Sequence, residues 1–430
     1  MKRMKYLSVV VKSVMILLFL YSCNHTGNMN QSIVLTNTSK IDLQNKAIVI
    51  VRDSLKTVTD GYSPLITKEK GDTVPSQLDD LDGDGTWDQL FFVADIPAGS
   101  TLELDLKWIK AQPDYPIRTS IRFGKRSSKN TPVYPKTSDT LLADQVHMAL
   151  GYQPYQTDGP SWENDKVGFR HYFDGRNAND LFGKKVPWIS PETVGINAEG
   201  AVEDNYHVME DWGRDIIAVG NSVGIGGFGL MTGDSIVRLG ITTTDTLNNI
   251  EESIFTILTE GPVHSLMHFR YNNWHAGERI YQASEKTSIW PGMHAYQNTV
   301  SISGLQGDEI LLAGLVNSNT DHPLTELEID DKYIVLYTHD QQTYDKVWYL
   351  GLALILPKDA YSGFGEAPQE GPFSKTFYGK LKIEENTPVS YYAAGCWEMA
   401  DEGFRDSTYF RKYIENLAQQ LAAEVSVMIE

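Results

Sequence analysis

Short runs in which apolar and polar side chains alternate dominate the chain. In "TLELDLKW", Leu102, Leu104, Leu106 and Trp108 alternate with Glu103, Asp105 and Lys107, the period of a strand with one buried face. Runs of the same kind recur in "KAIVIV", "LFFVADI", "SIFTILTE", "NTVSISGL", "EILLAGLV", "KYIVLYTH", "WYLGLALIL" and "GKLKIEE", and Gly, Pro, Asn or Asp clusters separate most of them. So many strands with so few helical periods predict a mainly β protein whose antiparallel sheets stack as a sandwich. The lack of a fixed-period repeat argues against a propeller or a solenoid. Only the tail reads as a helix: Phe410, Ile414, Leu417, Leu421 and Val425 recur at helical spacing, and Asp406 or Ser407 can cap the start. The expected helix, residues 406–430, packs its apolar stripe on a sheet.

The start of the chain breaks this pattern. Lys2, Arg3 and Lys5 precede the apolar run "LSVVVKSVMILLFL", which ends in "LYSC", the form of a secretory signal. It resembles a bacterial lipobox, with Ser22 before the cleavage point and Cys23 lipidated. A transmembrane anchor needs about 20 apolar residues, and Lys12 interrupts this run. Residues 1–23 are thus expected to be a lipoprotein signal, and 24–31 a polar tether. A β unit at 32–110 and a main β body at 111–405 follow, joined by a loop-rich stretch rich in Pro, Ser, Thr and Lys. The lipid is the one expected membrane attachment, at the bacterial cell envelope, either facing the periplasm or on the outer-membrane surface. With Cys23 lipidated, Cys396 has no partner for a disulfide, and "AAGCWE" suits a small buried hydrophobe better than a nucleophile.

Charge narrows the functions. The formal net charge is −19 at pH 7, and no long basic block offers a face to phosphates, so a nucleic-acid partner is not expected. Acid is concentrated in "DDLDGDGTWDQLFF". Counted from Asp80, the side chains of Asp80, Asp82, Asp84 and Asp88 fall at loop positions 1, 3, 5 and 9, with Gly85 at position 6, which matches most of a calcium loop. Phe91 stands at position 12, where a bidentate Glu belongs, and "LFFVADI" is strand-like rather than the helix of an EF-hand. Two readings stay open, a calcium site and a solvated hairpin turn favoured by Asp-Gly pairs. No organic cofactor is expected; in particular, the glycines from Gly220 to Gly229 form no phosphate-binding motif.

Polar, aromatic and glycine residues are densest in "DGPSWENDKVGFRHYFDGRNANDLFGKK". On a strand, Arg170, Tyr172 and Asp174 project from one face, and Val167, Phe169, His171 and Phe173 from the other. In "VHSLMHFRYNNW", His264, His268, Arg270 and Asn272 share a face with Leu266, opposite Val263, Met267, Phe269 and Tyr271. Imidazoles beside a guanidinium suit a wet cleft better than a core. Between the two lies "DNYHVMEDWGRDIIAVG", with His207, Asp211 and Trp212. Taken singly, each such residue is more often structural than functional; as a group they predict one cleft.

Three stretches, "DGPSWENDKVGFRHYFDGRNANDLFGK", "YHVMEDWGRDIIAVGNSVGIGGFGL" and "VPSQLDDLDGDGTWDQLFFVADIPAG", resemble a domain-of-unknown-function family of bacterial lipoproteins found in gene clusters that degrade acidic polysaccharides. The resemblance implies an antiparallel β-supersandwich of the galactose-mutarotase-like kind and a uronate-containing glycan as partner. It carries no catalytic residue across, so the assignment of roles rests on the strand faces.

The leading expectation is β-elimination on a uronate-containing poly- or oligosaccharide. That chemistry asks for a cation on the carboxylate, a base for the neighbouring proton and an acid for the leaving oxygen. Arg170 or Arg270 would clamp the carboxylate, His207 or His268 would be the base, and Tyr172 the acid or a second base. Glu163, Asn164, Asp174, Arg176, Asp211, Trp212, Trp274 and Trp397 would complete the binding surface, the tryptophans by stacking on sugar faces. Glycoside hydrolysis, including release of an unsaturated uronate, is the alternative and would draw a carboxylate pair from Glu163, Asp174, Asp211 and Glu398. A non-catalytic glycan-binding protein is a third reading, and an epimerase a fourth.

Overall fold

A computed structural model describes residues 30–430; Cys23 and the signal lie outside the described residues. The protein is mainly β, with antiparallel sheets and one long helix near its C-terminus. Its centre is a nine-stranded sheet. The sheet runs in the order Ser138–Leu142, Ile250–Glu260, Ser265–Ala276, Arg279–Ile289, Ala295–Ser303, Val389–Trp397, Leu350–Pro357, Tyr333–Asp340 and Thr325–Glu328.

Alternation along these strands decides what each face meets. Leu352, Leu354 and Leu356 point inward, with Phe255, Met267, Phe269 and Tyr271, into the main core. Two five-stranded sheets close that core, one containing Ser161–Asn164, Gly168–His171 and Asn179–Lys184, the other Ile225–Thr232 and Glu309–Val316. Ala353, Ile355, Tyr392, Ala394 and Cys396 point outward and are buried by the helix and by Phe91 and Val93. Cys396 is a buried hydrophobe, as the sequence suggests, and burial pushes its thiol far up.

The covering helix, Ser407–Ala422, starts where Asp406 accepts a hydrogen bond from the Tyr409 backbone amide at 2.8 Å. Phe410, Ile414 and Leu417 form its buried stripe. Gly351 makes room for it: a Cβ there would lie 2.2 Å from the Phe410 ring. The helix is shorter than the sequence predicts. Val425–Ile429 is a strand that pairs with Asn30–Asn37, because "VSVMI" satisfies the open edge of a neighbouring sheet. Asn30 and Gln31, expected in the tether, already belong to that first strand, and the Gln31 amide donates to the Thr57 carbonyl at 2.7 Å.

The N-terminal β unit is itself a small sandwich. A five-stranded sheet, which includes Asn30–Asn37, Thr101–Ile109 and the tail strand, faces a three-stranded sheet of Leu43–Val51, Gln89–Ile96 and Ser76–Asp79. Ile33, Ile50, Leu90, Phe92, Leu104, Leu106 and Trp108 fill its interior. Its three-stranded sheet lies against the outer face of the nine-stranded sheet, beside the helix.

Phe410→Ala empties the space over Gly351 and should lower unfolding free energy by about 3–5 kcal/mol, measured by urea denaturation. A loss below about 1 kcal/mol would show that the helix does not hold the outer face as described.

Candidate functional site

The two polar strand faces predicted from sequence exist, but they point away from each other. Gly168–His171 and Ser265–Ala276 belong to facing sheets, and their apolar sides meet: His171 packs on Phe269 with ring centroids 4.2 Å apart, and Phe173 lies 6.1 Å from the same ring. Arg170 and Tyr172 therefore leave the sandwich on one side, and His264, His268 and Arg270 on the other. The single cleft expected from these residues does not form.

On the first side, charge is sealed in. The Arg170 guanidinium lies over the rings of Tyr172, Tyr206 and Phe182 at 4.4, 4.9 and 5.2 Å. It donates to Asp180, to Asp215 at 2.9 Å and to the Tyr172 hydroxyl at 2.6 Å. Only 1 % of Arg170 is exposed, so a carboxylate arriving from solvent cannot reach it. The Tyr172 hydroxyl donates to Asp180 at 2.7 Å, and burial holds that phenol far above its usual range. Arg176 stacks 3.6 Å over Tyr172 and grips Asp174 in a two-pronged pair, with His147 3.1 Å from the same carboxylate. Burial opposes the charge on Asp174, but Arg176 and His147 outweigh it and hold the acid below the usual carboxylate range. Burial pushes Asp158 up to about 6, against the pull of Arg170. His207 joins this group at its rim, 3.6 Å from Asp215 and half exposed, its pKa lowered by burial and by Arg170.

Most of the other predicted residues are structural. Glu163 is buried against Lys184 and accepts from the Ser190 amide and hydroxyl. Asn164 spends its amide on the carbonyls of Trp290 and Met293, at 2.7 and 2.8 Å, and so fixes the turn between two strands of the large sheet. Trp274 and Trp397 lie in the main core, and Trp212 is buried against Phe182. Asp211 is exposed, and Glu398 accepts from the Tyr349 amide.

The acidic loop links Ser76–Asp79 to Gln89–Ile96 as a hairpin connection. Ligand atoms of Asp80, Asp82 and Asp88 lie within 4.8 Å of one another. Asp84 turns away to accept from the Thr86 amide. Asp80 also accepts from the Gly83 and Gly85 amides at 2.7 and 2.8 Å, and those bonds hold its pKa low. Both glycines have positive φ, as the tight turn needs. Three hard oxygen donors around one point fit calcium. Phe91, at the missing twelfth position, is buried and stacks on His264 with centroids 4.2 Å apart.

The second side opens into a groove of about 720 Å³, floored by the outer face of the large sheet and walled by the N-terminal unit and the helix. Trp290, Tyr392, Tyr409 and Tyr413 line it, with lysines at 46, 166 and 286. Lys46 donates to the Gln420 carbonyl at 2.7 Å near the helix end, and burial lowers it to about 8. Lys166 and Lys286 form no ion pair among the described residues. Asp401 is the one carboxylate among the lining residues; it accepts from the Tyr409 hydroxyl at 2.8 Å. His268 sits on this same face, opposite Lys286 across the strands, and burial together with Lys286 and Arg270 lowers it to about 4. It is a neutral imidazole at neutral pH.

His264 is buried and His268 half-buried on the side that opens to the groove, where Lys286, Ser288 and Trp290, residues outside the sequence expectation, join them. The signal was present in "SEKTSIW", where Ser284, Lys286 and Ser288 alternate with the buried Glu285, Thr287 and Ile289.

Arg170→Ala leaves Asp180 and Asp215 buried without their counter-charge and should cost about 3–5 kcal/mol in urea unfolding. A variant as stable as the parent but defective in glycan binding would instead make Arg170 a substrate clamp.

A protein of Formosa agariphila described as "Uncharacterized protein P7" is 23% identical over 371 residues, which is 83% of this chain and 81% of that protein. Among solved structures, an alpha-mannosidase from Enterococcus faecalis aligns with a TM-score of 0.47 at 10% identity, over 94% of this chain and 46% of its own. A protein in glycosyl hydrolase family 38 from the same species gives 0.48 at 10% identity, over 94% and 48%. This chain thus spans about half the length of those two structures. The family described as "Domain of unknown function (DUF4861)" matches residues 35–427, and the chain belongs to that family.

Proposed function

We propose that the protein binds a uronate-containing poly- or oligosaccharide in the groove beneath the helix and cleaves it by β-elimination. One observation carries this reading: a sugar-sized groove with aromatic walls presents two lysines, Lys166 and Lys286, that form no ion pair among the described residues. Lys286 and Lys166 would neutralise the uronate carboxylate, which acidifies the neighbouring C–H. His264 would take that proton by way of the Ser288 hydroxyl, 2.8 Å from its Nε2. The Tyr409 phenol, held by Asp401, would protonate the leaving oxygen. Glycosidases of the two-carboxylate kind need a pair of acids flanking the bond, and Asp401 stands without a partner acid in the lining. A lipid on Cys23 would keep this chemistry at the cell envelope.

The acidic loop is proposed to hold calcium through Asp80, Asp82 and Asp88, which would quiet carboxylate repulsion at the entrance of the unit that carries Phe91.

Incubation with pectic, ulvan-like and glycosaminoglycan oligosaccharides should generate the ultraviolet absorbance of a conjugated unsaturated uronate. Lys286→Ala should slow its appearance by roughly a hundredfold. Cleavage without the chromophore would point to hydrolysis, and saturable binding without any product would point to a binding protein; either overturns the elimination. For the loop, calcium should raise the melting temperature of chelator-treated protein by a few degrees, and Asp82→Asn should abolish the rise. An identical melting curve with and without calcium excludes the site.

A further inference from the structure

Asp79 ends a strand of the N-terminal unit, His264 directly precedes the strand Ser265–Ala276 and Ser288 lies on the next strand of the large sheet, and the three stand in a line at the groove. The His264 Nδ1 lies 2.7 Å from an oxygen of Asp79, and its Nε2 lies 2.8 Å from the Ser288 hydroxyl. Asp79 is fully buried and also accepts from Gln77, Gln89 and Thr259 at 2.6, 2.9 and 2.9 Å. The Asp79 oxygens face donors on every side, so Nδ1 carries a proton toward them and, in the neutral ring, the lone pair of Nε2 faces the serine. Phe91 stacks flat on the ring, and Gln77 accepts from the Val263 and His264 amides, so the imidazole is fixed in plane and in position. Ser288 lines the open groove.

We propose that Ser288 is a nucleophile, activated by His264 and oriented by Asp79, that hydrolyses carboxylic esters, with an acyl group on a saccharide hydroxyl as the substrate class. The Ser288 oxygen attacks the acyl carbon while its proton passes to Nε2 of His264. The C–O bond to the sugar then breaks, and the sugar oxygen takes that proton. Water attacks the acyl-serine and gives a proton to Nε2; the acyl–Oγ bond then breaks, the serine oxygen takes that proton, and the carboxylic acid leaves. Gln297, directly across the strands from Ser288, and Lys286 line the groove beside it and supply donors for the oxyanion. No uronate is required, so this activity stands whether or not the groove performs elimination.

A second pair in the same sheet is a built-in control. The His268 Nε2 lies 2.8 Å from the Ser284 hydroxyl, but no carboxylate bonds its other nitrogen among the described residues. If a serine–histidine contact across two strands were enough, both serines would react.

Treatment of the unaltered full chain with a fluorophosphonate probe, followed by peptide mapping, should place the adduct on Ser288 and none on Ser284. Hydrolysis of p-nitrophenyl acetate should fall by roughly a hundredfold or more in Ser288→Ala and in His264→Gln, with Ser284→Ala unaffected. No adduct on Ser288, equal labelling of the two serines, or full ester hydrolysis by Ser288→Ala would each overturn the proposal. Mapping on the unaltered chain keeps the test valid even where a variant fails to fold.

Discussion

A nine-stranded sheet with two apolar faces must bury both, and the rest of the molecule is arranged around that demand. The two smaller sheets cover the inner face. The outer face is covered in part by the helix and in part by the three-stranded sheet of the N-terminal unit, which meet the same strands from two sides. What lies uncovered between them is the groove. Burial elsewhere therefore shapes the cavity, and its floor keeps the polar half of each strand: Lys286, Ser288, Gln297 and Thr299.

This arrangement holds only if the N-terminal unit is fixed to the body. Beside the apolar contact of Phe91 and Val93, polar bonds fix the register: His264, just before its strand in the large sheet, reaches Asp79, and Gln77 binds the His264 backbone from both its amide nitrogen and its oxygen. Arg118 of the body, held by Asp165 at 2.6 Å, adds a bond to Asn45 of the unit at 3.0 Å. The tail then closes the circuit, since the strand after the helix completes the first sheet. The unit at the start of the chain thus depends on its last residues, and the groove depends on both.

The sealed cluster around Arg170 does a different job. A guanidinium removed from water at this depth is tolerable only with its counter-charges in place, and here they come from separate segments: Asp180, Asp215 and the nearby Asp158. The pairing ties the turn Gln156–Asp158 and the edge strand Gly213–Asp215 to the strands beside them. It is a clamp on the protein itself.

Local periodicity carried most of the fold into view. "TLELDLKW" buries Leu104, Leu106 and Trp108 as its alternation demands, and Phe410, Ile414 and Leu417 form the helical stripe. Val425 fits both a helical spacing and a strand, and only the open sheet edge beside it decides between them. Face parity was also legible for Arg170 and Tyr172 and for His264 and His268. What the chain does not write locally is which way two strands face once their sheets are stacked, so residues with the right chemistry read as one cleft although the core separates them. Asp79 and His264 are 185 positions apart, and no spacing rule links them.

The most direct test is a crystal structure of the protein with a uronate oligosaccharide bound. Sugar density in the groove, with a carboxylate against Lys286 or Lys166 and a ring face on Trp290 or Tyr409, is the expected result. Density instead at the rim by His207 and Asp211, with the groove filled only by solvent, would contradict it.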